Sequence, residues 1–125
     1  MNTNRPIAFS FVGQNSGHKW TGNFIVKTSI TKREEFIADE FRRRALGPDS
    51  LSAPAALQTD AYIAGQLFVH IVEAPKWWKD SDSGLELDSR DGVAYAVYDA
   101  LLVEIAALKA ERSNGAAEAV KSLES

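Results

Sequence analysis

Few residues in this chain could carry chemistry, and their spacing decides most of the candidates. The stretch Asp80-Ser81-Asp82-Ser83-Gly84, with Asp91 in twelfth place, begins like a calcium-binding loop. Such a loop needs a ligand oxygen at its fifth position and a glycine at its sixth, where the backbone turns sharply. Here the fifth residue is Gly84, the sixth is Leu85, and Asp91 is shorter than the glutamate that closes such a site with both oxygens. The stretch reads as a solvated acidic loop, and no metal site is assigned. Gly13-x-x-x-Gly17-His18-Lys19 resembles half of a phosphate-cradling loop. It is one residue short, however, and no Ser or Thr follows the lysine.

Nucleophilic and acid–base constellations fare no better. The chain has no cysteine and two histidines. His70 lies in the apolar run Leu67-Phe68-Val69-His70-Ile71-Val72, which suits a core histidine with one hydrogen bond. His18 sits beside a turn and is expected to be exposed. No Gly-x-Ser-x-Gly elbow and no His-x-x-x-His pair appears. These absences predict a protein that is not an enzyme and uses no cofactor. Arg42-Arg43-Arg44 is the one basic cluster, but successive helical residues point about 100° apart and cannot share a patch. In the last turns of a helix such cations favour the negative end and pair with Asp39 or Glu40.

The remaining oddity is aromatic. Trp77 and Trp78 are adjacent, just behind Pro75. Neighbouring side chains diverge, so one ring can bury while the other stays near the surface. Two readings stand side by side: the pair plugs the end of a helical layer, or it anchors a protein partner. The expected partner-binding residues are Trp77, Trp78, Pro75, Phe36 and Phe41, with Ile37 on the same helix face.

The elements that must position these residues follow from periodicity. Ile7, Phe9 and Phe11 alternate with smaller or polar residues, the period of a half-buried strand. Gly13-Gln14-Asn15-Ser16-Gly17 turns the chain into a second strand around Trp20, Phe24 and Val26, in which Gly22 marks a bulge or a close backbone approach. Thr31-Lys32-Arg33-Glu34 is a capping box, preceded by Ile30 in the staple position, and opens a helix that Gly47-Pro48 ends. Pro54 starts a second helix, whose stripe of Leu57, Ala61, Ala64, Leu67/Phe68 and Ile71 runs to about Glu73 and makes it the central one. Residues 76–88 read as a loop with at most one helical turn. A third helix is expected from an Asp88 cap, along Ala94, Val97, Leu101, Ile105 and Leu108, to about Arg112. Ser113-Asn114-Gly115 breaks the pattern, and the Ala-, Glu- and Ser-rich residues 116–125, with Val120 and Leu123 as their two aliphatics, read as a frayed helix or a disordered tail. The reading is an α+β fold, an N-terminal antiparallel β-hairpin followed by three main α-helices packed together. One domain covers residues 1–112, with a polar C-terminal tail at 113–125.

Composition bounds the function. At 125 residues, with 45% hydrophobic and 25% charged residues, the chain is one globular domain. A net charge of −3 argues against a protein that holds nucleic acid by bulk electrostatics. No apolar run is long enough to span a bilayer, and the N-terminus lacks a secretory signal, so a soluble cytoplasmic protein is expected.

Three stretches together are similar in layout to small bacteriophage proteins of the tail assembly chaperone family. They are Gly17-His18-Lys19-Trp20-Thr21-Gly22-Asn23-Phe24-Ile25-Val26, then Ile30-Thr31-Lys32-Arg33-Glu34 with Arg42-Arg43-Arg44-Ala45-Leu46-Gly47, and Glu73-Ala74-Pro75-Lys76-Trp77-Trp78. The resemblance covers about residues 9–108. It implies a non-enzymatic, mainly helical protein in the cytoplasm of an infected bacterium, one that binds the tape-measure protein and helps tail-tube subunits polymerise around it. Such proteins are often made in two lengths by a ribosomal frameshift, and the break at Ser113-Asn114-Gly115 with the polar tail after it would suit the end of a short form. The hairpin departs from the family pattern. It leaves open a small structural component of the virion (capsid, neck or tail) that binds neighbouring subunits, and a host-type regulatory module. Homo-oligomers are compatible with each.

Overall fold

A computed structural model describes the backbone of residues 4–124 and the side chains of residues 4–114. Strand β1 (Asn4–Val12) pairs antiparallel with β2 (Lys19–Lys27) in unbroken register, from Asn4 opposite Lys27 to Val12 opposite Lys19. The period of two puts Ile7, Phe9 and Phe11 on one face with Trp20, Phe24 and Val26, and Ser10, Thr21 and Asn23 on the other. Phe9, Phe24 and Val26 are buried. Gly22 lies opposite Phe9, on the inner face. A Cβ there would sit 2.6 Å from Pro75 Cγ, so of the two roles open to this glycine it has the close approach.

Helix α1 (Lys32–Leu46) opens with the expected capping box. The Thr31 hydroxyl accepts from the Glu34 amide at 3.2 Å, and the Glu34 carboxylate accepts from the Thr31 amide at 3.0 Å. Gly47, at φ 84°, ends the helix in the left-handed region that Pro48 then seals. A 3-10 turn at Ser50–Ser52 leads to Pro54, which caps α2 (Ala55–His70). Helix α2 is the central one, burying Ala61, Ile63, Ala64, Gly65, Leu67 and Val69.

The chain departs from expectation at the end of α2. The helix stops at His70, and Ile71–Glu73 form a short strand, β3, that adds to β2 and gives the sheet order β1-β2-β3. A continuous apolar run fits a buried helix and a strand equally well, and pairing with β2 decides it. Buried His70 marks the switch: its Nδ1–H donates to the Lys27 carbonyl at 2.6 Å, tying the junction to the end of β2.

A single turn, α3 (Lys76–Lys79), and a run of turns lead to α4 (Val93–Glu124). Two corrections apply to α4. It begins five residues after Asp88, whose carboxylate caps the Arg90 amide within a turn instead. It also runs through Ser113-Asn114-Gly115, since one internal glycine costs only about 1 kcal/mol against an otherwise Ala-rich helix. The side chains of Val120 and Leu123, like all of residues 1–3, lie outside the described residues.

The fold is thus α+β, a hairpin extended by a third strand and followed by three main helices. The core joins Phe9, Phe24 and Val26 of the sheet to Ile63 and Leu67 of α2, Trp78 of α3, and Val93, Val97 and Leu101 of α4. Among the described residues no helix is long and apolar enough to cross a membrane.

Candidate functional site

Pro75, Trp77 and Trp78 come together, but inward. Pro75 packs over the bare backbone of Gly22 and caps α3. Trp78 is 4% exposed, its ring edge-on to Phe24 at 5.8 Å. Trp77 is half-buried, its ring 5.0 Å from Trp20 and 6.1 Å from Phe9. Its indole N–H already donates to the Thr21 carbonyl at 2.8 Å. The expectation that this corner offers a free anchor is corrected for Trp78, which has no surface to offer, while Pro75, like Trp77, is half-buried. Sequence reading saw two diverging rings. It missed that Phe9, Trp20 and Phe24 close around them, because nothing local links those positions.

Phe36 and Phe41 do not share a face. Five residues apart on a helix they point about 140° from one another. Phe41 is 4% exposed and stacks on Phe68 of α2 at 4.8 Å, with the Arg44 guanidinium 5.3 Å above its ring. It is a core residue of the α1–α2 seam, which corrects its assignment to a partner. Beside it Gly65 lets the helices touch: a Cβ at that position would run into the Ala38 carbonyl oxygen. Phe36, in contrast, is 69% exposed, and its neighbour Ile37 is 40% exposed. With Lys32, Arg33 and Glu40 they line a shallow surface groove along the outer side of α1.

The polar candidates are spent on structure. Arg42 Nε donates to Asp39 at 2.9 Å and a terminal nitrogen of Arg42 donates to Gln58 at 3.0 Å. Arg43 pairs with the same aspartate at 3.2 Å, so the cluster diverges as its spacing requires. The glycine loop at 13–17 does hold an anion, and it is Asp91. The buried Asp91 carboxylate accepts from the Ser16 hydroxyl at 2.7 Å and from the amides of Ser16 and Asn15 at 2.6 and 2.9 Å. A Cβ on Gly13 would lie 2.5 Å from Asp91 Oδ2, so only glycine admits the carboxylate. The Ser16 hydroxyl above all, then its amide and that of Asn15, hold Asp91 below the usual carboxylate range against the opposing effect of burial. The Trp20 indole N–H, without a partner at hydrogen-bond geometry, contributes least. The twelfth residue of the calcium-like pattern is therefore engaged by the 13–17 turn, whereas Asp80 and Asp82 are exposed. Among the described residues no group of three or more His, Asp or Glu side chains could hold a metal ion. His18 is exposed and rests edge-on against Trp20 at 4.5 Å.

Of the residues expected to bind a partner, Phe36 with its neighbour Ile37 forms an apolar pair at the surface of a helix fastened by its other side; Leu51 and Val103 are among the other exposed apolar residues. Comparison with models of known families, with curated proteins and with solved structures gives no match, so the candidate site rests on its own geometry.

Proposed function

We propose that this chain is a non-enzymatic protein-binding domain of the tail assembly chaperone kind, docking a tape-measure or tail-tube segment on the Phe36–Ile37 face of α1. One observation carries the docking reading: Phe36 and Ile37 are 69% and 40% exposed on a helix whose buried residues, Ala38 and Phe41, turn to α2. A scattered exposed aliphatic needs no explanation, but an exposed phenylalanine beside an isoleucine, rimmed by Lys32, Arg33 and Glu40, has the make-up of an interface anchor. An apolar helix face with a charged rim suits an amphipathic partner helix laid against it. The layout of the three stretches around residues 17–26, 30–47 and 73–78 supports the phage assignment.

The test is pull-down and calorimetry of the purified chain with a phage tape-measure protein. Phe36→Ser with Ile37→Ser should weaken binding at least tenfold while leaving thermal stability unchanged. Equal binding by the double variant would overturn the docking face. Fixed-copy presence of the chain in purified particles would replace the chaperone by a structural component of the virion.

A further inference from the structure

A second recess lies on the other side of α2, walled by the loop between α3 and α4. Its floor is Ile63, Ala64 and Val93, each at most 6% exposed. Its rim carries Asp60, Asp88 and Tyr95, all exposed. The volume is about 140 Å³. An apolar cavity of about 150 Å³ takes a six-carbon hydrocarbon, so the space suits a body of about six non-hydrogen atoms.

Charge selects what kind of body. Among the described residues two carboxylates line the recess, and no Lys, Arg or His does. Asp88 is engaged by the Asn15 side chain at 2.8 Å and by the Arg90 amide at 2.9 Å. Among the described residues Asp60 takes a single hydrogen bond, from the Tyr95 hydroxyl, and no cation pairs with it. The N-terminus of α4 at Val93 brings a positive dipole end of about half a charge. That is outweighed by two full carboxylates, so the mouth is net negative above an apolar floor. The wall opposite α2 is held open by an unusual backbone: Asp82, Ser83 and Gly84 run consecutively through positive φ, at 51°, 56° and 89°. The buried Ser81 hydroxyl fixes this turn, donating to the Trp78 carbonyl at 2.6 Å and accepting from the Gly84 amide at 3.0 Å.

The geometry points to a binding site for a primary alkylammonium of four or five carbons, its stem on Ile63, Ala64 and Val93 and its head at Asp60. The site is separate from the α1 face and does not depend on the function proposed for it. The same chemistry is presented by a free amine and by a lysine side chain.

The experiment is an NMR titration of the intact chain with propyl-, butyl- and pentylammonium, with 1-pentanol as the neutral control. Saturable shifts are expected at the amides of Gly84, Gly92 and Ala94, with Kd falling about fourfold per added methylene. Pentanol should bind at least tenfold more weakly. Asp60→Asn, at an exposed position, should weaken pentylammonium at least tenfold and leave pentanol unchanged. Ser89→Lys, which tethers a competing cation at the rim without touching the floor, should weaken it likewise. N-acetyl-lysine methylamide separates the sources: affinity equal to that of butylammonium assigns a protein lysine, and its exclusion assigns a free amine. Equal binding of pentanol and pentylammonium, insensitivity to both variants, or shifts confined to other residues would each overturn the site.

Discussion

The aromatic end and the α1 arm of this molecule are built from similar side chains put to opposite uses. At the aromatic end, Phe9, Phe24, Trp77 and Trp78 come from three elements and enclose one another, with Val93, Val97 and Leu101 of α4 behind them. In the arm, α1 commits Ala38 and Phe41 to α2 and a Lys27–Glu34 ion pair to β2, and leaves Phe36 and Ile37 outside. An aromatic residue stabilises only where several elements converge on it. A helix fastened along one side leaves its other apolar residues at the surface. Stability belongs to the first region and the exposed apolar pair to the second, and local opening is expected to start in the arm.

Each part of that contrast can be broken. Trp78→Ala should have the largest effect, a loss of about 3–5 kcal/mol by urea denaturation, because the ring is enclosed on all sides. A smaller loss would mean that the aromatic end relaxes around the hole and is less tightly packed than its contacts suggest. Next comes Asp91→Asn, which leaves the Ser16 and Asn15 donors without their carboxylate and should lower the melting temperature at neutral pH. Asp91 also has a pH signature. Its folded pKa lies below the ordinary 3.8, so its contribution is complete above that value and is lost as pH falls through the folded pKa. The Asn variant should therefore show a shallower stability loss below about pH 4 than the parent.

The arm should respond more gently and more locally. Gly65→Ala gains about 1 kcal/mol of helix propensity, but its clash with the Ala38 carbonyl costs about 1–3 kcal/mol, so α1 should loosen. Amide exchange should rise in α1 while the β1–β2 pairs keep their protection; a rise in both would merge the two regions into one cooperative unit. Thr31→Ala removes the cap and should cost about 1 kcal/mol, again confined to α1 by exchange. Phe36→Ser should move stability by less than about 0.5 kcal/mol, the smallest effect of the series and the sharpest mark of a surface residue.

The sequence shows where local rules suffice. Alternation at Ile7, Phe9 and Phe11, the Thr31–Glu34 box and the Gly47-Pro48 stop each act within a few residues, and each stands where periodicity and capping put it. Gly22 was legible as a special position, although its reason, Pro75, lies far along the chain. Helix α2 was overrun by three residues because Leu67–Val72 is apolar throughout and only β2 distinguishes strand from helix there. Asp88 looked like a cap, and it is one, for a turn rather than for α4. Of the residues expected to bind a partner, Phe36 is exposed, Trp77 half-buried, and Phe41 and Trp78 buried. Exposure is set by which distant element lies on top, and no spacing within α1 or α3 encodes that. The grip of the Gly13–Gly17 turn on Asp91 spans 75 residues and had no local signal beyond its glycines.

The passage from α2 to β3 leaves no connecting residue, since the helix ends at His70 and the strand begins at Ile71. One inserted residue would turn everything on one side of the junction by about 100° in helical terms, and would exchange the two faces of the strand on the other. Neither element could absorb it without giving up Leu67 or the pairing with β2. Length changes among descendants of this chain should therefore gather in the exposed linker at 48–53 and stay away from the 70/71 boundary, making that boundary a ruler by which remote relatives can be aligned.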